Sequence, residues 1–132
     1  MSEENVEIVR RMYETYLTGN VNRALDFFDP DVAADFSVRG DTGPTTGREA
    51  LDKTVTAWVS TWDEYSEQIE DIRGGAGDSV CVIATQRGKG KESGVEIENR
   101  WGQVYTVENG LITSLTMYRT PAEALKAAGL SE

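Results

Sequence analysis

Apolar residues recur at helical spacing near the start of the chain, where Val6, Val9, Met12, Tyr13, Tyr16 and Leu17 share a stripe ahead of Gly19, a residue suited to the position just past a helix end. Asn20 is placed to cap a second, shorter helix with Val21, Ala24, Leu25 and Phe28 on its apolar side. Asp29-Pro30 is predicted to end it, because the residue before a proline is pushed out of the helical region. Asp31 to Val38 fits a short strand, and Arg39 to Gly47, where Gly, Thr, Asp and Pro collect, reads as a loop. Thr46 followed by Glu49 matches a capping box, and Leu51, Val55, Trp58, Val59 and Trp62 then form the stripe of a third helix running to about Trp62.

From Tyr65 the period becomes two. Tyr65 to Arg73 and Ser79 to Gly88 read as strands around a glycine turn, and Val80 to Ala84 is apolar on both faces. Such a strand needs cover on both sides: helices on one, and something else, such as a partner subunit, on the other. The glycines of Lys89 to Gly94 miss both phosphate-cradling fingerprints and mark a solvated hairpin tip. Glu96 to Glu108 and Leu111 to Arg119 then form a long hairpin about Asn109-Gly110, a pair that accepts the positive φ of a tight turn. Alternation puts Trp101, Gln103 and Tyr105 on one face and Arg100, Gly102, Val104 and Thr106 on the other. If the first face looks into a cavity, function is read there. Thr120-Pro121-Ala122-Glu123 combines a capping box with proline at the first helical position, opening a last helix through Ala128 that ends at Gly129. The order α-α-β-α-β-β-β-β-α predicts an α+β fold, one antiparallel sheet curled over helices, as a single domain over residues 1–132.

Charge and composition narrow the function more than the fold. A net charge of −10 argues against nucleic acid and anionic membrane surfaces, both of which need clustered Lys and Arg. No apolar run approaches a membrane span, and Met-Ser-Glu-Glu-Asn lacks the basic and apolar parts of a signal peptide, so a soluble, cytoplasmic protein is expected. The single cysteine, Cys81, lies in an apolar run and reads as a buried, inert thiol. Histidine is absent altogether. That removes Ser-His-Asp and Cys-His chemistry and the usual zinc and non-haem iron sites, so any acid or base is a carboxylate, tyrosine, lysine or water, and no cofactor is expected.

Seven short stretches in order carry a family resemblance: Glu4-Asn5-Val6-Glu7 with Ile8-Val9-Arg10-Arg11, Thr18-Gly19-Asn20, Phe28-Asp29-Pro30-Asp31-Val32, Gly47-Arg48-Glu49-Ala50, Arg87-Gly88-Lys89-Gly90 with Ser93-Gly94-Val95-Glu96, Glu108-Asn109-Gly110, and Ala122-Glu123-Ala124-Leu125 with Ala128-Gly129-Leu130. The chain resembles the SnoaL-like branch of the nuclear-transport-factor-2-like superfamily, to which ketosteroid isomerase and limonene epoxide hydrolase belong. The resemblance implies a cone-shaped curved sheet around helices, an apolar pocket at its wide end, and a homodimer through the outer sheet face. It does not carry over the known catalytic residues. The tyrosine, base and protonated aspartate of ketosteroid isomerase fall on Met12, Phe36 and Gln103, and a carboxylate of the epoxide hydrolase falls on Met117. The aspartate–histidine pair of the polyketide cyclases has no histidine here.

Candidate site residues follow. Gln103 is a mid-strand amide that must be hydrogen-bonded if buried, by a ligand carbonyl or by the protein. Asp35 lies one residue from the family's base position, and Tyr13 and Tyr16 flank its tyrosine position, so Asp35, Gln103 and Tyr16 are the candidate catalytic set. Tyr13, Trp58, Trp62, Trp101, Tyr105, Tyr118 and Arg119 are candidate ligand contacts, against the alternative that the aromatics are plain core and Arg119 a salt-bridged rim residue. Three functional classes remain open. The chain is a cofactor-free isomerase, cyclase or hydrolase of a hydrophobic oxygenated molecule (polyketide, terpene or steroid-like), a non-catalytic binder of such a molecule, or a dimeric interaction module.

Overall fold

The computed structural model describes residues 2–40 and 43–130. Two helices, α1 (Ser2–Leu17) and α2 (Val21–Leu25), lead into strand β1 (Phe28–Asp35), a 3₁₀ turn at Ser37–Arg39 and the two-residue strand β2 (Thr45–Thr46). Helix α3 (Arg48–Ser60) follows, then four long strands, β3 (Trp62–Gly74), β4 (Ser79–Gly90), β5 (Glu96–Glu108) and β6 (Leu111–Tyr118), and the closing helix α4 (Pro121–Ala127). The six strands form one curved, unclosed sheet in the order β2-β1-β6-β5-β4-β3. The predicted α+β cone is therefore present, with two differences in the sheet. The short β2 adds an edge, and β1 runs parallel to β6 while every other pairing is antiparallel.

Local signals explain most boundaries. Asn109 and Gly110 have φ of 52° and 81°, the positive values that the β5–β6 turn demands. The Thr120 hydroxyl accepts the Glu123 N–H at 3.2 Å with Pro121 at the first helical position, as the capping box predicts. Three expectations are corrected. Asp29-Pro30 does not terminate α2, which stops at Leu25; proline sits inside β1, at the register break between Phe28 and Ala33, where no ladder N–H is required of it. Thr46 does not cap α3, because it pairs with Ala33 in β2, and Gly47 takes the cap position. Trp62 belongs to β3 rather than to α3. The expected loop at Arg39 to Gly47 includes Asp41 and Thr42, which lie outside the described residues, as do Met1, Ser131 and Glu132 of the expected domain.

The core lies on the inner sheet face, where Val80, Val82, Val107, Ile112 and Met117 pack against Val9, Met12 and Leu51 of the helices. Burying side chains of this size stabilises by about 1.5–3 kcal/mol each. Arg48 ties α3 to β1 by donating from Nε and Nη2 to the Phe28 carbonyl at 2.8 and 2.5 Å. The outer cover that the two-sided apolar strand requires comes from within the chain. Cys81 and Ile83 of β4 cluster with Ala124 and Leu125 of α4 and with Ala128, the residue that caps its C-terminus. Gly102 makes this possible, since a Cβ at that position would stand 2.3 Å from the Ala124 Cβ. Among the described residues, no helix is long and apolar enough to cross a membrane.

Candidate functional site

A cavity of about 70 Å³ lies between the inner sheet face and helices α1 to α3. Its walls are mostly aromatic and aliphatic, and include Met12, Phe36 and Gln103, the three positions where the resemblance would place catalytic groups. Beside it lies an open depression of about 600 Å³, and Tyr16, Val21, Val55, Tyr65 and Glu67 line both spaces. Those five side chains are thus the partition between the two.

The first polar cluster is built from α1 and β5. Helical spacing puts Tyr13 one residue past Met12 on the buried stripe, and period-two alternation brings Gln103 and Tyr105 to the same inner face. Tyr13 Oη donates to Gln103 Oε1 at 2.6 Å, Tyr105 Oη donates to the same oxygen at 2.8 Å, and the two phenol oxygens are 2.5 Å apart. The rings meet edge to face, with centroids 5.9 Å apart. Two hydroxyl protons serve three short oxygen–oxygen contacts, so a ligand oxygen gains a donor here only by taking one from Gln103. Burial, reinforced by the charge an ionised Tyr105 would place beside it, pushes Tyr13 well above the ordinary phenol range, and burial pushes Tyr105 up too, against the opposing effect of its bond with Tyr13. Both stay neutral donors.

The second cluster comes from β3 and β4. Register breaks between Asp63 and Ser66 and again between Ile69 and Asp71, with Glu64 at φ 53°, re-aim β3 so that Tyr65, Glu67 and Ile69 face inward. Glu67 stands directly across from Gln86, which is 2% exposed. Tyr65 Oη donates to Glu67 Oε2 at 3.3 Å. Burial raises the Glu67 carboxyl above the ordinary value of 4.5, and hydrogen bonds from Tyr65 and Gln86 and the Arg39 charge only partly offset it. Burial also pushes Tyr16 up to about 12. The Arg39 guanidinium lies 4.4 Å from the ring centroids of both Phe36 and Trp58, a cation held against two aromatic faces of the wall.

Of the residues singled out by sequence, Tyr13, Tyr16, Trp58, Gln103 and Tyr105 line the cavity. The other five do not. Asp35 is turned away because alternation puts Ala34 and Phe36 inward, and its carboxylate accepts the Ser37 hydroxyl and, at 2.9 Å, the Ser37 N–H, which hold it below the ordinary carboxylate range. Trp62 stacks edge to face on Trp58, with ring centroids 5.4 Å apart, outside the lining. Trp101 packs against the core, Tyr118 packs with the α4 cluster on the outer face, and Arg119 is exposed. Sequence reasoning missed Glu67, Gln86, Tyr65, Arg39 and Asp52. One signal was available for the first: Glu67 is a carboxylate between Tyr65 and Ile69 on the apolar side of a period-two strand.

Comparison with known proteins adds three kinds of finding. Residues 9–115 match the SnoaL-like domain. No curated protein matches the chain. Solved structures share its fold across nearly the whole length. An NTF2-like protein of unknown function from Burkholderia pseudomallei is 19% identical with a TM-score of 0.75, over 95% of this chain and 97% of that one. A protein with a ketosteroid isomerase-like fold from Catenulispora acidiphila, in complex with trimethylamine, is 22% identical with a TM-score of 0.71, over 94% and 93%. The epoxide hydrolase/cyclase-like enzyme SalBIII, with a role in pyran ring formation in polyether salinomycin, is 18% identical with a TM-score of 0.73, over 88% and 90%. At these identities the fold is what is held in common.

Proposed function

This chain belongs to the SnoaL-like domain family, and from that premise we propose that it is a cofactor-free enzyme of proton transfer acting on a hydrophobic, oxygenated small molecule, polyketide-, terpene- or steroid-like, with Glu67 as its acid–base group. The observation that carries this reading is Glu67 itself: a carboxyl raised by burial, hydrogen-bonded by Tyr65 and placed on the cavity wall, is suited to exchange protons with a bound molecule. Tyr13 and Tyr105 would turn from Gln103 to meet an oxygen as it gains negative charge. The inner cavity has room for the reacting end only, the bulk of the molecule lying in the outer depression past Tyr16 and Tyr65. SalBIII, with its role in pyran ring formation, supports the substrate class at the level of the fold.

A second reading, a non-catalytic binder, is favoured by one specific observation: the Tyr13–Gln103–Tyr105 triangle is satisfied without any ligand. The two separate in a single experiment. Small enolisable ketones are screened by thermal shift, and those that stabilise the protein are incubated with it in D₂O while NMR follows deuterium entering the carbon next to the carbonyl. The enzyme reading expects exchange that Glu67→Gln slows by about 100-fold or more. Binding without exchange upholds the second reading, and no binding by any probe leaves the interaction module. A homodimer through the outer sheet face belongs to the same family reading; α4 takes part of that face, and the remainder carries Glu70, Arg87, Glu98 and Arg100 in ion pairs, so such a dimer is expected to weaken with salt in sedimentation.

A further inference from the structure

Gln86 poses a problem that its surroundings answer. The residue is 2% exposed, and its Oε1 is buried without any hydrogen-bond donor. Buried acceptors are nearly always paired, so a donor must come from close by. Glu67 is the residue directly opposite in the β3–β4 ladder, on the same face, and its carboxyl is close enough to feel the Gln86 amide. An ionised carboxylate has no proton to give, whereas a neutral one has a single O–H. We propose that Gln86 is a positioning residue that keeps a proton on Glu67. The carboxyl O–H donates to Gln86 Oε1 while Gln86 Nε2 donates to the carboxyl's other oxygen, a closed acid–amide ring in the cavity wall.

The surrounding groups bear on this in known directions. Tyr65 on β3, Tyr13 and Tyr16 on α1 and Tyr105 on β5 face Glu67 as neutral phenols, and a charge on Glu67 makes each of the last three harder to ionise. Asp52 of α3 lines the same cavity and adds no positive charge. Burial outweighs the Tyr65 hydroxyl, the Arg39 charge and an N–H of Gln86, which together favour the carboxylate, and the Gln86 oxygen is the group that favours the acid. The resting site is then a proton donor. An entering molecule competes with Gln86 Oε1 for one O–H, which selects a ligand that presents an accepting oxygen, carbonyl or ether, over one that presents only a donor. That consequence rests on the reading of Glu67 as the acid–base group; the acid–amide ring does not.

The test uses the substrate-free full chain. Infrared difference spectra of wild type against Glu67→Gln at neutral pH are expected to show one protonated-carboxyl stretch that the variant lacks. In Gln86→Met that stretch is expected to move to higher frequency, from the lost hydrogen bond, and to disappear at a lower pH than in wild type. Absence of the band in wild type overturns the proposal, even if Gln86→Met fails to fold. A band that Gln86→Met leaves unmoved, or that persists to higher pH in that variant, overturns it as well. A band present in a protein that exchanges no deuterium upholds the ring and sinks the enzyme reading, and the reverse pattern does the opposite.

Discussion

On the outer face of β5, Ala124 of α4 lies so close to Gly102 that a Cβ there would stand 2.3 Å from its own. On the inner face, the very next residue, Gln103, serves two buried phenols beside a cavity. One strand thus borders two regions built on different principles. The outer seam of Cys81, Ile83, Ala124, Leu125 and Ala128 contains no side-chain hydrogen bond among its members and relies on shape. The inner region gives up packing density and spends buried polar groups instead: Tyr13, Gln103, Tyr105, Glu67 and Gln86. Polar groups in such places are costly unless paired, so the inner face depends on hydrogen bonds where the outer seam depends on fit.

The largest expected effect falls on the seam. Gly102→Val forces backbone or helix to move, because the Ala124 Cβ, the Thr120 carbonyl at 3.2 Å and the Pro121 Cα at 3.3 Å all crowd the new side chain. A loss of about 3 kcal/mol in denaturant unfolding is expected, with α4 detached. A neutral result would show that α4 is not docked as described. On the inner face, Gln103→Leu removes the shared acceptor. The two phenols can then satisfy one donor between them and leave the other unpaired, a cost of about 2 kcal/mol by the same measurement. If Gln103→Leu proves as stable as wild type, the comparison fails, since the inner face would then be packed like the outer.

The two regions also differed in how far the sequence disclosed them. The seam was half legible: the apolar run of Val80 to Ala84 demanded a second cover, and the Thr120 capping box announced a helix, yet nothing in the local pattern said that this helix folds back onto that strand. The inner face was legible where periodicity reports it, in Tyr13, Gln103 and Tyr105. It failed for two different reasons: Glu67 follows the regular alternation of Tyr65 and Ile69, but its charge reads as a solvated carboxylate, whereas Pro30 stays inside β1 through irregular pairing with β6. Asp35 is the reverse of Glu67, since its proximity to the family's base position meant little once alternation turned it outward.

A smaller effect separates propensity from packing at the seam. Thr120→Ala removes the oxygen that accepts the Glu123 N–H, and the expected loss is about 1 kcal/mol. Thr120→Ser retains the acceptor and should restore most of it. If both variants lose the same amount, the threonine methyl rather than its hydroxyl is what matters there.

The smallest expected effect is a slope, and it sharpens the contrast by showing which face holds an excess proton. Glu67 has a folded-state value raised above the ordinary 4.5, chiefly by burial. Between those two values the folded chain keeps a proton that the unfolded chain has released, so the Glu67 contribution to stability is full below the ordinary value and is lost as pH rises through the raised one. Other groups tilt the background. Asp35 is lowered by its bonds to Ser37 and contributes in the opposite sense, while the net charge of −10 adds self-repulsion as carboxyls ionise. The informative quantity is therefore the difference between wild type and Glu67→Gln in unfolding free energy across the acid-to-neutral range. The variant is expected to gain on wild type steadily as pH rises, because its amide stays neutral where the carboxyl is forced to ionise. A difference that does not change with pH would mean that Glu67 titrates as an exposed carboxylate, and the inner face would then hold no poised proton.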